Sequence, residues 1–536
     1  MSDIAVIGAG HNGLVAACLL AEAGHRVTVL EARDLVGGAC VSEELWPGYQ
    51  VSTTSYVSTL LMPEVVERFD LARHGYKVIK QEPAFFVPFP DGRTLTLYGD
   101  DRDLPEIARF SRRDAEAYPR FHHALARIGS FLKPQIHKPP PPIDASGPRD
   151  LWSLLMMARD ARRLTPLEVQ FMVALATRGV AEIVDSWFES EEIRAFLCSQ
   201  AVIGAYGGVH TPGTAFLLLH DVLGGVDGAA GVWGVVVGGM GGITRALAAA
   251  ARARGATVRT GVRARAIELK NGGGGAAGTG GAVEGVRLEN GEVVRASVVV
   301  SNAAPRITYL RLLPRESLPA DLVRHIETFQ DQGASLKVHL ALSELPDFTA
   351  MPGKAPGPQH RGLLNFCPTV DFIESAWDDC KRGRFSERPT IEACIHSVND
   401  PSCAPPGKHV MTCFVQYGPR HLKEGRWADL KETVADRTIA ELARYAPNLP
   451  GAVLHRHVYT PEDLENVFGL PGGNIYHGAM TPDQLFSFRP AAGWADYRTP
   501  VRNLYLCGAG THPGGGVWGA AGWNAAHQVI KDIGRG

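Results

Sequence analysis

Gly8, Gly10 and Gly13, in the spacing G-x-G-x-x-G, and Glu31, 18 residues past the last of them, are the residue types a chain uses to hold a dinucleotide. Gly8 permits a tight turn, Gly10 lets the backbone approach a pyrophosphate, and Gly13 lets the following helix pack closely on the preceding strand. The Glu31 carboxylate can accept the ribose hydroxyls of an adenosine and repels a 2′-phosphate, which argues against NADP. These residues leave FAD and NAD both open.

Such a clamp needs a strand, a helix and a second strand to position it. Residues 4–7 are a short apolar run suited to a buried parallel strand, residues 14–23 are an Ala- and Leu-rich helix, and residues 26–30 form the second strand, ending at Glu31. The helix N-terminus would direct unpaired N–H groups at the phosphates.

The 536-residue chain is 45% hydrophobic and 21% charged, with a net charge of −2, so nothing electrostatic points to nucleic acid as a partner. Nine cysteines without a C-x-x-C pair indicate neither a zinc knuckle nor a dithiol centre, and no metal site is expected. Reduced structural thiols fit a cytoplasmic protein, and a nucleotide motif beginning at Ile4 leaves no room ahead of it for a signal peptide. No apolar run reaches transmembrane length. Peripheral contact with a membrane stays open, although no basic amphipathic helix stands out. The oligomeric state is not legible.

Residues 32–40, ARDLVGGAC, follow Glu31 directly, and the doublet Gly37-Gly38 can bring a second stretch of backbone to the same phosphates. Glu31 followed closely by Gly-Gly resembles the flavoprotein group that contains amine oxidases and phytoene desaturases, and the resemblance favours FAD. Ala32, Arg33 and Ala39 belong to the cofactor-binding stretch it implies.

Helical spacing marks residues 102–132, 151–180, 190–203 and 214–222, with a polyproline connection at 137–147. Residues 232–242, VWGVVVGGMGG, read as a strand running into glycines, before a helix at 243–254 and strand-like runs at 256–260, 265–269, 283–288 and 293–301; residues 271–281 read as a flexible tip. The segment resembles the return to the nucleotide domain in the same flavoproteins. That resemblance implies adenine contacts from Val262 or Ala264 and closure of the sub-domain at Ser301 and Asn302.

A strand at 334–342 places Ser335, Lys337 and His339 on one face and Leu336, Val338 and Leu340 on the other. Lys337 there can lie on a solvent face or snorkel to water. By resemblance to amine oxidases of this group, it can instead hold water beside the flavin.

The most specific stretch lies near the C-terminus. Residues 503–507 form a buried strand, Gly508 and Gly510 end it, and Gly519, Ala520 and Ala521 start the last helix. The run LYLCGAGTHPGGGVWGAAGWNAA resembles the C-terminal FAD signature of the phytoene dehydrogenase-like flavoproteins, and NIYHGAM with DQLFSFRP and YRTP resembles one branch of that family in particular. The likeness spans nearly the whole chain.

The resemblance implies an α/β fold, in which a Rossmann-type FAD-binding domain of glutathione-reductase-like kind (residues 1–80, 231–310 and 490–536) is interleaved with a mixed α+β substrate domain (residues 81–230 and 311–489). Gly8, Gly10, Gly13, Gly37 and Gly38 would hold phosphate and Glu31 ribose, while Gly508, Gly510 and residues 519–521 would reach the ribityl chain and flavin ring. His512 is either a loop histidine bonded to backbone or a group beside the flavin; Trp518, like Trp233 and Tyr56, is either core or a lid. Lys337, His512 and Trp518 are the candidates for catalysis.

The leading expectation is FAD-dependent dehydrogenation of an apolar or amphiphilic small molecule, with electrons leaving to oxygen, a quinone or another acceptor. Double-bond isomerisation without net redox and a flavin-stabilised protein without turnover are the alternatives.

Overall fold

A computed structural model describes residues 1–143, 147–226, 229–270 and 281–534. Part of the proline-rich connection (144–146) and nearly all of the expected tip at 271–281 lie outside them.

Five short parallel strands make the central sheet, in the order Thr257–Arg259, Arg26–Leu30, Asp3–Ile7, Val298–Ser301, Leu504–Leu506. Alternation within the first strand decides what covers each face. Ile4 and Val6 pack under the helices His11–Glu22, Gly241–Ala253 and Ala520–Ile533, while Ala5 and Ile7 face the antiparallel strands Ala264–Leu269 and Val283–Leu288 and the helices Pro305–Leu310 and Ala320–Thr328. Gly522 is needed where two of the covering helices cross, since a Cβ there would lie 1.9 Å from the Asn12 carbonyl oxygen.

The second sheet has seven strands in the order Val453–Tyr459, Ser335–Leu342, His409–Gln416, Thr390–Ile395, Leu363–Asn365, Phe85–Pro88, Thr94–Leu97. All eight residues of Ser335–Leu342 are buried. The expected alternation is present, but both faces are covered. Lys337 is only 1% exposed, which overturns the solvent-face and snorkelling readings.

The densest run of helix lies between residues 103 and 223, around Phe121, Val184, Phe196 and Leu218, although more than half of the helical residues lie elsewhere in the chain. The expected run 151–180 is two longer helices, Pro148–Ala161 and Pro166–Thr177, followed by the start of a short one, Val180–Asp185. Thr165 and Glu168 form a capping box that starts the second, and local capping outweighs the continuous apolar spacing. Residues 214–222 begin as a 3-10 turn, Thr214–Leu219, and the run 293–301 splits into Val293–Arg295 and Val298–Ser301, which belong to different sheets. The strand expected at 232 is the shorter Gly234–Val236, paired with Val78–Lys80.

Candidate functional site

The glycine turn is built as a surface that leaves no room for side chains. Gly8 has φ +92°, and its N–H donates to the Leu30 carbonyl at 2.8 Å, tying the turn to the second strand. A Cβ on Gly13 would sit 2.3 Å from the Gly8 carbonyl oxygen; one on Gly10 would sit 2.7 Å from Asn302 Nδ2. Asn302 therefore lies over the turn, held from the neighbouring strand end by its own N–H donating to the Ile7 carbonyl at 2.8 Å. Gly37 donates its N–H to the Ala9 carbonyl at 3.0 Å, and Gly37 and Gly38 have φ of +140° and +55°. The two glycine motifs are thus joined by backbone.

Glu31 is buried and braces this turn. One carboxylate oxygen accepts the Ala9 N–H at 2.7 Å, and the other accepts the Arg33 N–H at 3.0 Å. Arg33 pairs with Glu43 at 2.5 Å and lies 4.9 Å over the Phe468 ring. The backbone of Val262 donates to the Glu31 carbonyl at 2.8 Å.

A single cavity of about 660 Å³ runs along these residues. Gly8, Gly10, Glu31, Ala32, Arg33, Gly37, Gly38, Ala39, Ala264 and Asn302 form its wall at one end. At the other, the wall is apolar and aromatic, with Tyr56, Leu60, Ile203, Trp233, Phe414 and Tyr476. Gln200, His220 and Glu392 lie among them, with the hydroxyl residues Ser58 and Thr59. Sequence reasoning did not single out Gln200, His220, Glu392 or Tyr476; no local motif marks them.

Other expected site residues are near the cavity but outside its wall. Gly13 holds the helix close, while Gly508 and Gly510 make room for the Asn302 carbonyl and for Pro305. Gly519, at φ +80°, caps the last helix, and Ala520 and Ala521 are buried among the helices covering the sheet. Ala509, Gly516 and Val517 reach the cavity instead. Trp518 is buried behind His220, its indole N–H donating to the Gly515 carbonyl at 2.9 Å. His512 donates from Nε2 to the Gln135 carbonyl at 2.9 Å, and burial lowers its pKa to about 4.

Lys337 stands behind two wall residues, its Nζ 3.7 Å from the Tyr56 ring centre and 5.0 Å from that of Phe414. Among the described residues Nζ has no hydrogen-bond partner, and burial lowers its pKa to about 7. The Tyr56 hydroxyl donates to Glu392 Oε1 at 2.5 Å, and Gln200 Nε2 donates to Oε2 at 2.9 Å. Burial raises the Glu392 pKa against these hydrogen bonds, which favour its ionised form. The far end of the cavity therefore carries one carboxyl group that can hold or release a proton.

The wall suits a flavin dinucleotide. Glycine backbone offers close approach for a pyrophosphate, and four buried polar atoms, His11 Nε2, Thr54 Oγ1, Trp233 Nε1 and His477 Nδ1, lack partners among the described residues. Burial lowers the pKa of His11, His220 and His477 to about 4, so their rings are neutral near pH 7. Among the described residues no group of three or more His, Cys, Asp or Glu could hold a metal ion, and all nine cysteines are free and buried.

A family model described as flavin containing amine oxidoreductase matches residues 13–530. The chain is 40% identical to pyridine nucleotide-disulfide oxidoreductase domain-containing protein 2 of Rattus norvegicus, over 99% of this chain and 94% of that protein. It is 28% identical to a limonene dehydrogenase polypeptide of Castellaniella defragrans, over 99% and 95% of the two chains. An oxidoreductase structure from Methanosarcina mazei superposes with a TM-score of 0.62 at 18% identity, covering 99% of this chain and 100% of that one.

Proposed function

Since this chain belongs to the flavin-containing amine oxidoreductase family and is an FAD-dependent oxidoreductase, we propose that it dehydrogenates an apolar or amphiphilic organic substrate seated at the aromatic end of its cavity. The carrying observation is the continuity of that cavity, from the glycine turn to a wall of Tyr56, Ile203, Trp233, Phe414 and Tyr476. Walls of this kind bind by excluding water from apolar surface, and the few polar groups fix orientation.

Gly8, Gly10, Gly37, Gly38 and Asn302 would hold the pyrophosphate of FAD, with Glu31 and Arg33 on the adenosine side. Bound FAD supplies the capacity to accept hydride. The chain supplies the rest: Tyr56 and Gln200 orient the Glu392 carboxyl, and the apolar wall keeps water from it. Glu392 is then the group that takes up a substrate proton. The limonene dehydrogenase relative supports an apolar substrate by analogy. Oxygen, a quinone or another organic acceptor would receive the electrons.

Absorbance of the purified protein, followed by anaerobic mixing with a panel of terpenes, polyenes, lipids and amines, tests this reading. Bleaching by an apolar member is expected. Bleaching confined to small polar amines would overturn it. Glu392 also favours a second reading, double-bond isomerisation, because a carboxyl group with a raised pKa can return a proton as well as take one. Product mass equal to substrate mass under anaerobic turnover would select that alternative.

A further inference from the structure

Seven of the eleven large hydrophobic side chains that are exposed among the described residues fall within residues 143–173. Single exposed hydrophobics are ordinary, but their concentration on one element marks a contact surface. Six of the seven, all but Ile143, lie on the consecutive helices Pro148–Ala161 and Pro166–Thr177.

None of the described residues of Pro148–Ala161 is buried. Most helices owe their stability to an apolar face packed on the rest of the protein, and this one has such a face uncovered. Leu151, Leu154, Leu155 and Ala158 share it by their i, i+3, i+4, i+7 spacing. Leu151, Leu155 and the adjacent Trp152 are 60%, 57% and 62% exposed.

The helix Pro166–Thr177 is apolar on two sides. Leu175 is buried and Phe171 and Met172 pack on the helical core, while Leu167 and Val173 are 75% and 54% exposed. Its one charged residue, Glu168, is occupied by Arg127 and by the Thr165 cap.

Cations border this apolar face. Arg159, Arg162 and Arg163 are exposed at the end of the first helix and Arg178 at the end of the second. Residues 148–163 hold four arginines against two aspartates, in a chain whose net charge is −2. An isologous contact between two copies would bring the same arginines to one interface, which disfavours a second copy as the occupant.

We propose that these two helices are a docking face for a bilayer containing anionic lipids, with Trp152, Leu155 and Leu167 seated in the interfacial layer and the arginines at the phosphates. Among the described residues no helix is long and apolar enough to cross a membrane, so the contact is interfacial. The helix Pro166–Thr177 packs on the turn Thr214–Leu219, whose Leu217 lines the cavity, so this face and the cavity wall are back to back. The contact goes beyond the substrate reading, since it needs no substrate.

Vesicle sedimentation of the full-length, FAD-loaded protein tests it, using phosphatidylcholine vesicles with and without phosphatidylglycerol. The wild type should bind the anionic vesicles, and added salt should weaken that binding. Trp152→Glu combined with Leu155→Glu, and separately Leu167→Glu, should each lower binding about tenfold or more. Reversing Arg159, Arg162 and Arg163 to Glu should abolish the preference for anionic lipid. Retained flavin absorbance and melting temperature identify variants that fold. No binding by the wild type, or undiminished binding by folded Leu167→Glu, would overturn the proposal. So would a wild-type dimer that the Glu substitutions dissociate without any vesicle binding.

Discussion

The ammonium of Lys337 lies 3.7 Å from the centre of the Tyr56 ring, and the hydroxyl of that same ring donates to Glu392 at 2.5 Å. One tyrosine thus separates a buried cation from a buried carboxyl group at the cavity wall.

Replacing Lys337 by Met should stabilise the protein near neutral pH. The ordinary lysine value of 10.5 falls to about 7 in the folded chain. Between those values the unfolded chain binds the extra proton, so stability from this group rises with pH; below about 7 both states are protonated and the penalty is complete. At ~1.4 kcal/mol per pH unit the penalty is a few kcal/mol, against about 0.5–2 kcal/mol returned by the cation–π contact. Lys337→Met should therefore melt above the wild type at pH 7, with the gap closing toward pH 10. A variant that melts lower at every pH contradicts this.

Tyr56→Phe should cost about 1–3 kcal/mol, because Glu392 Oε1 loses its donor inside the protein. Glu392→Gln keeps the shape and removes the charge. If the two residues act as a pair, denaturant melts of the single and double variants should give a coupling of roughly 0.5–3 kcal/mol. Strict additivity would deny the pair.

Gly10 and Gly13 of the turn should separate folding from cofactor binding. Gly13→Ala drives a Cβ into the Gly8 carbonyl oxygen at 2.3 Å, a backbone clash that cannot relax cheaply. Both fold and FAD should be lost. Gly10 has φ −71°, open to alanine, and its Cβ would meet only the amide end of Asn302 closely. Gly10→Ala should keep its far-ultraviolet spectrum and lose FAD affinity by about tenfold or more, about 1.4 kcal/mol, in an equilibrium dialysis of the apoprotein. Gly451→Ala, with nothing within 4 Å of its Cβ, is the neutral control.

The turn was legible in the sequence because its chemistry is local: glycine spacing, a terminal acid and a second glycine pair lie within residues 8–38. Lys337 was half legible. Period-2 alternation gives the faces of a strand, but whether the polar face is covered depends on Tyr56 and Phe414, which come from other segments. Glu392 was illegible for the same reason, since its partners Tyr56 and Gln200 are 336 and 192 residues away along the chain. A carboxyl group in a strand carries no local sign that two distant segments will converge on it.

Arg489 is the clearest case of a motif whose reason only the fold supplies. It is fully buried, and its guanidinium donates to five backbone carbonyls: Ala509 at 2.9 and 3.1 Å, Ala479 and Gln484 at 2.9 Å, Tyr476 at 2.7 Å and Gly478 at 3.4 Å. Tyr476 and Ala509 both line the cavity, so the fork fixes two wall segments at once. Burial lowers its pKa to about 9, which leaves it charged at neutral pH with carbonyl dipoles as its counterparts. An ammonium has three donors and no fork, so Arg489→Lys strands at least two carbonyls at about 1–3 kcal/mol each. That substitution should lower stability by roughly 3–5 kcal/mol and release FAD at a lower temperature than the wild type, read as flavin fluorescence on heating. A lysine variant that holds FAD to the wild-type temperature would show that the fork does not set the cavity wall.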